Sequence, residues 1–183
     1  AKAIGCKPGE LYFTSCGSES NNTAVFGAAY AKRHAGRHIV TTAVEHPSVL
    51  EAMKRLEGEG FEVTYITPAS DGNISPEQVA SAVRADTVLV SMMAVNNETG
   101  AVMPVSQIKP ALKAVGSSAL VHCDCVQAFG KIPVRPSALG ADLITVSGHK
   151  VHAPKGIGAL YIAQNVHIRP YIVGGGPERG MRS

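Results

Sequence analysis

The sequence predicts an α/β fold built on a mostly parallel sheet of roughly seven strands. Three observations carry this reading. Seven short segments rich in β-branched or apolar residues recur along the chain, helical periodicities separate most of them, and 45% hydrophobic with 17% charged residues is ordinary globular composition. At 183 residues the chain is long enough for one domain with a sizeable core.

Taken in order, LYFTS from Leu11 is the first strand. Residues 19 to 35 then place small residues at Ala24, Gly27, Ala28 and Ala31, a helix face suited to close packing. HIVTTAV from His38 is the second strand, and residues 48 to 59 carry Val49, Met53 and Leu56 at i, i+4 and i+7 of a helix. EVTYI from Glu62 is the third strand. Ser75 and Pro76 then open a helix over residues 76 to 84, as N-cap and first helical residue. TVLVSMMAV from Thr87 is the fourth strand and residues 105 to 115 the next helix. LVHCDC from Leu120, LITVS from Leu143 and IGALYI from Ile157 complete the sheet. The last two are joined by SGHKVHAPKG, a connection rich in Gly and Pro that holds Lys150. No internal repeat or low-complexity tract interrupts the pattern. The ending VGGGPERGMRS and the equally abrupt start read as the ends of a piece cut from something longer. Residues 1–183 are therefore expected to be a single large domain, truncated at both ends.

Bulk properties narrow the partners. The 17 Lys and Arg against 14 Asp and Glu are scattered, with no basic block or aromatic interleaving of the kind that binds nucleic acid. Cys6, Cys16, Cys123 and Cys125 are too few and too badly spaced for a disulfide framework, so a reducing, cytoplasmic setting is expected. No apolar run approaches the roughly 20 residues that span a bilayer, and AKAIGCKPGE lacks a signal peptide's apolar region, so no membrane association is expected.

Open α/β sheets bind ligands outside the carboxyl ends of their strands, where helix N-termini point positive ends at the crevice. After the first strand, Cys16-Gly17-Ser18-Glu19-Ser20-Asn21-Asn22 is a small-residue turn opening a helix, suited to phosphate. After the second, Pro47 starts a helix and leaves His46 at the crevice; after the fourth comes Asn96-Asn97. Asp124 and Gln127 end the fifth strand, and Ser147, His149 and Lys150 follow the sixth. Each also has a plainer reading: Ser18 as a simple N-cap, His46 as a helix-start residue, the Asn pair as turn residues. Asp124 is harder to dismiss. Alternation puts His122 and Asp124 on one face of an apolar strand and Cys123 and Cys125 on the other, so a carboxylate points inward and needs a partner. The two cysteines lack a second pair, and His149 and His152 sit in a Gly/Pro loop, so no metal site is expected. Arg179 and Arg182 read as surface or interface charges.

A lysine amine, a carboxylate, a phosphate turn, an imidazole and an amide together suit pyridoxal 5'-phosphate. Lysine forms a Schiff base with it, and an aspartate keeps its pyridine nitrogen protonated so that the ring can act as electron sink. No G-x-G-x-x-G follows the first strand, which disfavours a dinucleotide-binding domain.

With these residues in view, the chain resembles the NifS-type cysteine desulfurases of the class V aminotransferase family, from about Leu11 to Ser183. LYFTSCGSESNN is similar to the family's phosphate loop, VEHPSVLEA to its ring-stacking histidine segment and VNNETGAVMPV to its asparagine turn. VHCDCVQAFGKIPV and SGHKVHAPKGIGALY are similar to its pyridine-binding and Schiff-base segments, with Lys150 lying 26 residues after Asp124. The resemblance implies a three-layer sandwich, the large domain of fold-type I pyridoxal phosphate enzymes. It implies that Lys150 carries the cofactor and moves protons, that Asp124 pairs with the pyridine nitrogen, and that Gln127 and Asn97 contact the phenolic oxygen. Gly17, Ser18, Ser147 and His149 would hold phosphate, and His46 would stack and assist proton transfer.

The implied reaction takes L-cysteine to L-alanine and an enzyme persulfide, whose sulfur passes to an acceptor or scaffold protein for iron–sulfur cluster assembly, or to thiolated tRNA. The family's enzymes are homodimers. Ser18 stands where threonine is usual, Ala153 where glycine is usual and Pro177 where a polar residue is usual; Cys16, Cys123 and Cys125 replace small or apolar residues. None of the four cysteines matches the family's nucleophile, which lies downstream of ERGMRS, and the C-terminal small domain has no counterpart here. The expectation is the cofactor-binding part of a cysteine desulfurase, inactive by itself. A selenocysteine lyase, an aminotransferase or a non-catalytic fragment used for folding or dimerisation are the alternatives.

Overall fold

Residue parity along the central strands decides which helix packs where. In the computed structural model, which describes residues 1–182, the strands are β1 (Leu11–Thr14), β2 (His38–Thr42), β3 (Glu62–Ile66), β4 (Thr87–Met93), β5 (Leu120–Asp124), β6 (Leu143–Ser147) and β7 (Gly158–Ile162). The helices are α1 (Gly17–Lys32), α2 (Pro47–Gly58), α3 (Pro76–Ala82), α4 (Val105–Ala114) and α5 (Pro136–Leu139). Ile39, Leu89, Leu120 and Leu143 pack into one apolar cluster with Ala24, Phe26, Val49, Met53 and Leu56 of α1 and α2. Their neighbours Val40, Val90, Val121 and Ile144 pack into the other, with Val79, Ile108 and Leu112 of α3 and α4. Successive side chains of a strand point to opposite faces, so apolar residues at both parities require helices on both sides. The result is the expected three-layer sandwich.

The seven strands form one sheet in the order β1-β7-β6-β5-β4-β2-β3. β3, β2, β4, β5 and β6 are parallel, and β7 runs antiparallel to both β6 and β1. The β6–β7 connection therefore needs no crossover helix, and a 3-10 turn at Gly148–Lys150 serves instead. Thr14, Gly158 and Ser147 lie in register across β1, β7 and β6, which brings the end of the first strand beside the segment that carries Lys150.

Ser75 caps α3 as expected, accepting from the Gln78 N–H while the Gln78 side chain accepts from the Ser75 N–H. α1 begins two residues earlier than its apolar periodicity predicts, because extended Cys16 hands the chain directly to Gly17. α5 has no apolar repeat to reveal it; Pro136 starts it and Gly140, at φ 63°, stops it. Arg179 is tied to the outer edge of β1: its Nη2 donates to the Leu11 carbonyl at 2.8 Å and its guanidinium lies 4.1 Å from the Tyr12 ring centroid. Arg182 pairs with Glu19 at 2.6 Å. Among the described residues no helix is long and apolar enough to cross a membrane.

Candidate active site

The carboxyl ends of β1, β2, β4, β5 and β6 surround a cavity of about 380 Å³. Of the residues expected at the site, Gly17, Ser18, His46, Asn97, Asp124, Gln127, His149 and Lys150 line it. Ser147 does not: it stands one layer back, 1% exposed, with Oγ 2.8 Å from His149 Nδ1.

The β1–α1 turn makes the first wall. Cys16 provides no side-chain cap, so the opening N–H groups of a 16-residue helix are directed at the cavity with its positive dipole end. Gly17 is required there by space: a Cβ would come within 2.9 Å of Val126 Cγ2 and 3.2 Å of Ser147 Cβ. The bare Gly17 backbone packs directly on Val126 and Ser147, which fixes where the opening N–H groups of α1 sit.

Asp124 forms the floor. It is 5% exposed; its Oδ2 accepts from Asn21 Nδ2 at 2.7 Å and its Oδ1 from the Val126 N–H at 2.9 Å. Burial pushes its carboxyl up from the usual carboxylate range, while the two donors and His46 pull it back. Asn21 also donates to Ser48 Oγ at 2.9 Å, and its buried Oδ1 has no hydrogen-bond partner among the described residues.

His46 is the N-cap of α2. Its Nδ1 accepts from the Ser48 N–H at 3.1 Å, so the hydrogen of the neutral ring resides on Nε2. Asn96 and Asn97 divide their roles. Asn96 is a turn residue, its Oδ1 accepting from the Glu98 and Thr99 N–H groups, whereas Asn97 is exposed at the cavity wall. Gln127 Oε1 accepts from the Lys131 ammonium at 3.0 Å, and the NH₂ of the same amide is a donor suited to a ligand oxygen. Lys150 ends the 3-10 turn after β6, exposed at the cavity. The next segment is strained, with His152 at φ 61°. Cys123 and Cys125 are fully buried with sulfurs 3.4 Å apart, on the sheet face opposite Asp124.

Sequence reasoning missed Asn21, Ser48 and Glu45. The first two sit one helical turn inside α1 and at the start of α2, where a polar residue reads as surface. Only the inward direction of Asp124, which demands a donor, signals them.

The Aminotransferase class-V family profile matches residues 1–180. Cysteine desulfurase 2 of Trichormus variabilis (strain ATCC 29413 / PCC 7937) is 48% identical over 180 residues, covering 98% of this chain and 44% of that protein. Cysteine desulfurase IscS of Serratia proteamaculans (strain 568) is 47% identical over 185 residues, covering 100% of this chain and 45% of that protein. Among solved structures, a NifS-like protein superposes with a TM-score of 0.96 at 45% identity, over all of this chain and 50% of that one. SspA in complex with cysteine does so with a TM-score of 0.93 at 40% identity, over all of this chain and 53% of that one. The chain thus spans just under half the length of the relatives it matches. With the family profile covering it almost end to end, the chain belongs to the class-V aminotransferase family.

Proposed function

We propose that this chain is the cofactor-binding part of a pyridoxal phosphate-dependent cysteine desulfurase, which converts L-cysteine to L-alanine and passes the sulfur to a protein thiol as a persulfide. The observation that carries the reading is the convergence of Lys150, Asp124, His46, Asn97, Gln127 and the α1 N-terminus on one cavity. The relatives named cysteine desulfurase support the substrate class, as does the relative solved with cysteine. The residues fit the group: the start of α1, with no side-chain cap at Cys16 and with Gly17 and Ser18 lining the cavity, suits a phosphate, and a buried carboxylate held by two donors suits a protonated ring nitrogen.

When bound, pyridoxal phosphate supplies an electron sink for bonds at the substrate's α-carbon. The chain's own groups do the rest. Gly17, Ser18 and His149 hold the phosphate. Ser147 Oγ, hydrogen-bonded to His149 Nδ1 at 2.8 Å, orients that ring and leaves its Nε2 for the phosphate. Asp124, oriented by Asn21, holds the ring nitrogen's proton, and Asn97 and Gln127 donate toward the phenolic oxygen. Lys150 Nζ supplies the amine and carries a proton, and His46 Nε2 is the second nitrogen placed to move one.

For the whole protein we propose a homodimer in the cytoplasm, serving an acceptor or scaffold protein. The four cysteines, all free, support a reducing setting. The test is to supply the whole protein with L-cysteine and no 2-oxo acid, then measure alanine and protein-bound persulfide. Equal amounts are expected, with both lost in Lys150→Ala. Amino transfer that requires a 2-oxo acid, or activity confined to selenocysteine, would contradict the reading.

A further inference from the structure

Glu45 is a buried carboxyl that the proposed chemistry does not use. It is 4% exposed, yet it lies between Val44 and His46 at the end of β2. Its Oε1 accepts two hydrogen bonds, from the Thr42 hydroxyl at 2.6 Å and from the Met93 N–H of β4 at 2.9 Å. Its Oε2, equally buried, has no partner among the described residues. An ionised carboxylate would spread half its charge onto that unsolvated oxygen; the neutral acid leaves only a hydroxyl there. The groups acting on Glu45 are the Thr42 hydroxyl, the Met93 N–H and, from β5, Asp124 and the Cys123 thiol, and none is a cation. Burial first, and then the like charge of Asp124, hold its carboxyl up at about 8. Asp124 differs in having a donor on each oxygen. Of the two buried carboxyls at this edge, Asp124 is equipped to carry charge and Glu45 is not.

We infer that Glu45 is a positioning residue kept as the neutral acid: its Oε1 pins the end of β2 to β4 and so sets the segment carrying His46, while its proton leaves Asp124 as the one buried carboxylate at this edge. The inference rests on the pyridoxal phosphate reading only for what His46 and Asp124 then do.

Two readouts on the cofactor-free chain test it. The infrared difference between wild type and Glu45→Gln at pH 7 is expected to contain a carboxylic-acid carbonyl band that shifts in D₂O. A difference showing only carboxylate bands overturns the neutral acid. Amide hydrogen exchange over residues 43–48 is expected to speed about tenfold or more in Glu45→Ala and to stay within about threefold of wild type in Glu45→Gln, which keeps the accepting oxygen. Should Glu45→Ala not fold, Thr42→Val removes one donor without opening a cavity and is expected to raise exchange in the same residues. Unchanged exchange in a folded Glu45→Ala or in Thr42→Val overturns the positioning role. With pyridoxal phosphate added, its affinity is expected to follow the same order. If wild type binds none, the reading of the site fails while both cofactor-free readouts still decide the role of Glu45.

Discussion

Asn21 reaches Asp124 from the second turn of α1 at 2.7 Å, and that one amide supplies half of the carboxylate's hydrogen bonding. A hydrogen bond to a charged group contributes about 1.5–3 kcal/mol, so Asn21→Ala is expected to weaken pyridoxal phosphate binding about tenfold or more, read by absorbance titration. Unchanged affinity would remove Asn21 from the site. Two other buried groups give stability a pH dependence. Glu45, raised from 4.5 to about 8, binds more protons folded than unfolded across that window, so stability falls as pH rises through it. His122, lowered by burial from 6.5 to about 3, binds fewer protons folded, so stability falls as pH drops from 6.5 toward 3. The two contributions oppose each other between pH 4.5 and 6.5, so denaturant titrations are expected to lose part of the fall from pH 6.5 to 8 in Glu45→Gln and part of the fall from pH 4.5 to 3 in His122→Gln; slopes unchanged from wild type in those windows would contradict both assignments. Asp124 was legible in the sequence because strand alternation turned it inward. Glu45 was not, because a Glu beside a helix-starting His-Pro pair looks like a solvated turn until β4 is placed against it.

At the scale of elements, the seven strands were legible from their β-branched runs, and four helices from their apolar spacing or cap. Direction was not. That β7 runs antiparallel follows from the short Gly148–Lys150 turn, and no residue pattern within GALYI distinguishes it from its parallel neighbours. α5 was invisible because four residues carry no period. Gly158 shows how tightly these elements are fitted: a Cβ there would meet the Cys16 carbonyl carbon at 2.6 Å and Thr14 Oγ1 at 2.7 Å. Gly158→Ala must therefore push the β1–α1 turn outward, at a cost of about 1–3 kcal/mol. The expected drop is about 2–4 °C in Tm per kcal/mol, accompanied by weaker phosphate binding. A variant with wild-type Tm and wild-type affinity for inorganic phosphate would show that the turn is not held in place by this contact.

For the whole molecule, the topology gathers the chemistry. Six of the polar residues singled out at strand ends, His46, Asn97, Asp124, Gln127, His149 and Lys150, come from four strands far apart in sequence, and the sheet brings them around one cavity. That much could be foreseen, because parallel strands present their carboxyl ends together. The second tier, Ser147 behind His149 and Asn21 beneath Asp124, depends on side-chain directions that only the packed structure supplies. The central claim is that this arrangement holds pyridoxal phosphate on Lys150. The most direct measurement is the absorbance spectrum of the chain with added pyridoxal phosphate, followed by borohydride reduction and mass mapping of the modified lysine. The account predicts a near-visible band and a reduced adduct on Lys150, absent in Lys150→Ala. No band, or adducts scattered over surface lysines, would contradict it.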